Sequence, residues 1–142
     1  MNLIDLKGQS VVSAIINPKS QTNNTGAGGL DLSNYTGLVC VTVSVGTKTV
    51  GDADGAISVR VATSATNNIS NAVNYGTSVI NTSNNATVIG DLSVDTRNCL
   101  RYLFAIPTVT GTNSPAYPLS VTARGFQVVE PVQPALINGL TP

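Results

Sequence analysis

The sequence is 142 residues long, with seven basic and seven acidic residues, no histidine and a formal net charge of zero. That length favours one domain with a substantial core. The scattered basic residues argue against a nucleic-acid partner, which needs clustered Lys and Arg. The lack of histidine removes the commonest general base and metal ligand.

Charged residues make up only 10% of the chain, while Ser, Thr and Asn together contribute 45 positions. Thr, Val and Ile suit a pleated, half-buried surface, and Gly, Asn and Asp supply turns. The composition is that of an all-β protein with a neutral, hydroxyl-rich exterior. A surface without net charge is tolerable in a subunit held in an assembly.

Residues 1–7 have neither the basic start nor the apolar core of a cleaved signal. No stretch approaches the ~20 apolar residues of a membrane span, so no membrane partner is expected. Leu3, Ile4 and Leu6 form a short apolar arm ahead of the first strand, expected over residues 10–17 and ended by Pro18. A polar loop follows to residue 29. Its Gly26-Ala27-Gly28-Gly29 run lacks the Lys-Ser/Thr of a phosphate loop and no helix follows, so it reads as a mobile connection. Residues 30–35 form a short ordered lead-in, with Leu30, Leu32 and Tyr35 packing.

The clearest strand runs from Leu38 to Gly46, where Val39, Val41, Val43 and Val45 share one face. Asp54-Gly55 is a hairpin signal, and Ile57, Val59, Val61 and Thr63 are expected on the opposing strand, with Ser58, Arg60 and Ala62 outward. Residues 64–86 are polar and repetitive, with short edge strands around Val73, Tyr75, Val79 and Ile80. Residues 87–94 form a further strand. In residues 100–109, Leu100, Tyr102, Phe104 and Ile106 share the expected core face, and Pro107 marks an edge or a bulge. After a turn at 111–115, residues 116–129 return as a long strand that Gly125 bends. No segment has helical periodicity. Seven or eight strands with frequent turns indicate a single antiparallel β-sandwich of Greek-key or jelly-roll type.

The sandwich domain with its N-terminal arm is placed at residues 1–129. Residues 130–142 differ: Pro131, Pro134 and Pro142 favour an extended path, yet Val132, Leu136, Ile137 and Leu140 are apolar. Such an arm needs a surface, on its own sandwich or on a neighbouring subunit. The candidate partner-interface residues are therefore Leu3, Ile4, Leu6, Pro131, Val132, Pro134, Leu136, Ile137 and Leu140.

Chemistry is sparse. Cys40 and Cys99 carry no zinc spacing and are expected reduced, as buried small hydrophobes. Asp52 with Asp54, and Asp91 with Asp95, are the carboxylate pairs available for glycoside hydrolysis, but turn and strand-end roles explain them better. No catalytic, metal or cofactor residues are assigned, no small-molecule substrate is expected, and the chain is read as a non-enzyme. Tyr75 and Tyr117, near loops, are candidate glycan readers.

Two segments carry a resemblance. Leu30-Asp31-Leu32-Ser33-Asn34-Tyr35-Thr36-Gly37-Leu38-Val39 and Asp95-Thr96-Arg97-Asn98-Cys99-Leu100-Arg101-Tyr102-Leu103 are similar to lead-ins to core strands in small structural proteins of tailed-bacteriophage heads, the capsid decoration or cement proteins. The resemblance spans roughly residues 8–129 and excludes the Pro-rich tail. It implies a sandwich on the capsid exterior of the virion, assembled in the host cytoplasm, often as a homotrimer, that bridges copies of the major capsid protein and stabilises the shell. The alternative is a glycan-binding or adhesion module of a head or tail fibre.

Overall fold

A computed structural model describes residues 10–22, 29–50, 54–76, 79–81 and 87–127. Nine strands lie in chain order: β1 (Ser10–Gln21), β2 (Leu30–Asp31), β3 (Tyr35–Val45), β4 (Ala56–Ser64), β5 (Val73–Asn74), β6 (Val79–Asn81), β7 (Val88–Asp95), β8 (Tyr102–Thr110) and β9 (Tyr117–Gln127). Two single-turn 3-10 helices, Leu32–Asn34 and Ile69–Asn71, complete the regular structure among the described residues. All strand pairings are antiparallel, in two sheets. The first sheet has the order β1-β9-β3-β7. The second has the order β2-β8-β4, with β5 and β6 sharing the far edge of β4. The fold is a β-sandwich, as the composition and strand spacing lead one to expect.

The alternation in β3 sets the core. Val39, Val41, Val43 and Val45 are fully buried. They meet Ile57, Val59 and Val61 of β4, Leu103 and Ala105 of β8, and Tyr117, Leu119, Val121 and Ala123 of β9 in one cluster between the sheets. Burying a Val or Leu side chain stabilises the fold by roughly 1.5–3 kcal/mol, so this period-two face is the dominant folding signal.

The expected hairpin between β3 and β4 does not form. β3 has β7 on one side and β9 on the other, while β4 pairs with β8, β5 and β6 in the opposite sheet. Each apolar face is buried better against the other sheet than beside its neighbour in sequence. The connection therefore crosses between sheets, guided by Thr49 N–H donating to the Ala116 carbonyl and by a Val50–Ala116 bridge. Asp54 is not a hairpin corner. Its carboxylate accepts from the Thr112 N–H and hydroxyl, tying this crossing to the β8–β9 turn.

One boundary, one bend and one strand face also differ. β1 continues through Pro18 to Gln21, with register shifts flanking Ile16. It is an edge strand, where a missing N–H is tolerated. The bend expected at Gly125 lies on its partner: the β3–β9 register shifts between Thr36 and Cys40, and Gly37 takes φ +75. Gly125 instead admits the Tyr35 ring, since a Cβ there would sit 2.7 Å from Tyr35 Cδ1. Finally, Leu103 and Ala105 provide the inward face of β8, not Tyr102 and Phe104. Phe104 and Ile106 are nonetheless buried on the outer face with Ala62, which was expected outward, beneath Ile69, Ala72 and Tyr102. The polar 64–76 excursion thus covers the outside of the second sheet.

Candidate functional site

The two segments that carry the resemblance come together at one end of the sandwich. Asp31 caps the turn at Leu32–Asn34 by accepting from the Ser33 N–H at 2.9 Å. It also receives Arg101, with Nη2 at 2.7 Å and Nε at 3.1 Å. The Leu32 N–H donates to the Arg101 carbonyl. Across the first sheet, Thr96 donates its N–H and its hydroxyl to the Gly37 carbonyl, both at 3.0 Å. Asp95 holds Arg97 through two charge-assisted bonds and the Asn98 amide through a third. The Tyr75 hydroxyl accepts from the Asp95 N–H at 3.1 Å. A shallow cleft beside this cluster is lined by Thr63, Val73, Asn74, Tyr75, Asn98, Cys99 and Leu100.

The electrostatics are those of a clasp. Hydrogen bonds from Arg101, then from Ser33, hold the Asp31 carboxyl far below the usual carboxylate range. Arg97 lowers Asp95, and the Thr112 N–H lowers Asp54. A general acid at neutral pH needs a carboxyl shifted the other way. Asp91 receives the Thr42 hydroxyl at 2.6 Å on the outside of the first sheet. Four residues of strand separate Asp91 from Asp95, about 13 Å, wider than the roughly 9.5 Å limit for a glycosidase pair. Asp52 lies outside the described residues.

The cysteines do not take the expected positions. Cys40 is exposed on β3, because its parity is opposite to that of the valines, and Cys99 is half-buried; both are free thiols. Burial, then nearby Asp95, pushes the Cys99 thiol up, which disfavours the reactive thiolate. Tyr117 is fully buried, so it is not available to stack on a glycan, and Tyr75 is half-buried against the core. Among the described residues no group of three or more Cys, Asp or Glu side chains is placed to hold a metal ion. No helix among them is long and apolar enough to cross a membrane.

A second surface has no counterpart in the sequence reading. The outer face of the first sheet carries Thr42, Ser44, Ser93, Ser120 and Thr122 in adjacent registers. At the end where β1 begins and β9 finishes, this hydroxyl field gives way to exposed Val12, Leu38 and Phe126. Ser10 pairs with Phe126 and Val12 with Arg124, while Arg124 pairs with Cys40 and Phe126 with Thr36. The three apolar side chains therefore surround Arg124, which makes no ion pair with another described residue. Alternation along β1 and β9 is the sequence signal for this face, but it becomes visible only once the strands are placed side by side. The arm residues Leu3, Ile4, Leu6, Pro131, Val132, Pro134, Leu136, Ile137 and Leu140 lie outside the described residues.

The chain matches no family model and no curated protein.

Proposed function

We propose that this protein is a structural subunit that binds the outside of a phage head and bridges copies of the major capsid protein. The observation that carries the reading is the outer face of the first sheet: broad and hydroxyl-rich, with exposed Ile89 at one end and Val12, Leu38 and Phe126 at the other, and with Arg124, Asp91 and Asp95 its charged residues in the aligned β3, β7 and β9 registers. Such a face suits many shared hydrogen bonds and apolar contacts without steering by charge. A standard interface of roughly 1,600 Å², about half of it on each partner, is within reach of a sheet face.

The strand order adds support. β1-β9-β3-β7 opposite β2-β8-β4-β5/β6, with the long strands β3, β4, β7, β8 and β9 alternating between sheets, favours a jelly-roll reading, an architecture shared by viral capsid domains and lectins. The homotrimer and the virion exterior belong to the same proposal.

The test is co-sedimentation with DNA-free shells of the matching head, followed by melting of the shells. Saturable binding that raises the shell melting temperature is expected. A Thr42→Arg/Thr122→Arg protein should keep its own melting temperature and lose binding. Shells that melt identically with and without the bound protein would rule out cementing.

A further inference from the structure

We infer that the apolar patch of Val12, Leu38 and Phe126 around Arg124 is the seat for the C-terminal segment, residues 128–140, of a second copy of this chain. This goes beyond shell binding and does not depend on it.

Four observations lead there. First, the chain enters the sandwich at Ser10 and leaves it at Gln127, and Ser10 is in register with Phe126. Both apolar arms thus start beside the patch. Second, β9 runs toward the patch end and out past it, so its own continuation must reverse to cover Phe126. Val128-Val129-Glu130 offers no Gly, Pro, Asn, Asp or Ser to turn with before Pro131, and paired valines favour an extended path. The first turn-forming pair is Asn138-Gly139. Ten extended residues span about 33 Å, enough to reach a neighbour.

Third, the charges match. Glu130 is the sole glutamate of the chain, and it lies in the arm. Arg124 is exposed at the centre of the patch. Six residues of extended strand span about 20 Å, so an arm that continues β9 without reversing can bring Glu130 to Arg124 only in another copy. Fourth, Val132, Leu136 and Ile137 follow Glu130 and supply the apolar surface that Val12, Leu38 and Phe126 lack.

Cys40 is in register with Arg124 and exposed, so its alkylation reports whether the patch is covered. The half-buried Cys99 serves as an internal reference. In the full chain we expect association in sedimentation, with Cys40 reacting about tenfold more slowly when associated than on dilution. Leu136→Asp/Ile137→Asp and Phe126→Asp proteins should each sediment as monomers with fast Cys40. Mixing the two should restore association, because the arm of one still fits the patch of the other. Arg124→Glu and Glu130→Arg should each weaken association, and the double reversal should recover it. Unchanged circular dichroism guards against misfolded variants. A wild-type monomer with fast Cys40 overturns the inference. A wild-type monomer whose Cys40 stays slow at every concentration also overturns it, by assigning the patch to the chain's own arm.

Discussion

The outer faces of the two sheets meet the same problem in opposite ways. Outside the second sheet, Ala62, Phe104 and Ile106 are covered by the chain's own 64–76 excursion, and Asn67 accepts from the Gly29 N–H at its margin. Outside the first sheet, Val12, Leu38 and Phe126 remain 53%, 59% and 39% exposed. A β-sandwich needs only its inner faces to be apolar. An apolar residue on an outer face must therefore be covered by the chain itself or by something else. The covered face belongs to the stability of the single chain, and the bare one is the surface that the proposed function assigns to a partner.

Four measurements would break or sharpen that contrast. Phe104→Ala should cost about 3 kcal/mol in denaturant unfolding, the lower part of the range for buried aromatics, because a cluster near the surface can partly collapse. A loss comparable to that of an exposed residue would mean that the covered face is not part of the core. Gly125→Ala should cost about 1–3 kcal/mol by overpacking, since the new methyl group would lie 2.7 Å from Tyr35 and 2.9 Å from Val39. This would place the tight side of the first sheet inward, beneath its bare exterior.

Asp31→Asn should have a smaller effect, ~0.5 kcal/mol after discounting for solvent screening, with a pH signature. The folded Asp31 carboxyl is held well below its usual value by Arg101. Its stabilisation is therefore complete above the unfolded value of about 3.9 and is lost as pH falls through the folded value. The wild-type and Asp31→Asn proteins should converge in stability under strong acid and separate above about pH 4. Phe126→Ser, on the bare face, should leave the stability of the dilute protein within about 0.5 kcal/mol. A larger loss there would show that the patch is already covered within one chain.

Much of the fold was legible because burial imposes a period of two. The β3 valines, the alternation in β9 and the turn at 111–115 follow from local pattern alone. The pairing of β3 with β4 misled because Asp54-Gly55 is a good hairpin signal that is outcompeted by burial against the opposite sheet. On β8 both faces are apolar, so alternation did not tell which one meets the main core. The clasp was half-visible: Asp31 and Ser33 make a local turn, but nothing near Arg101 in sequence points to a carboxylate 70 residues away. Cys40 was misplaced, and Tyr117 was left open, for a related reason. Their exposure depends on which face of a strand a sheet covers, which no single strand records.

By itself, the sequence determined the class of fold, the inner face of β3 and β9, and a neutral exterior without histidine, since these depend on composition and on contacts between near neighbours. Tertiary structure alone decided which strands share a sheet, which outer face the chain covers, and that the strand ends Ser10 and Gln127 flank an exposed apolar patch. Those outcomes depend on long-range burial, in which each strand chooses among all the others rather than the nearest one.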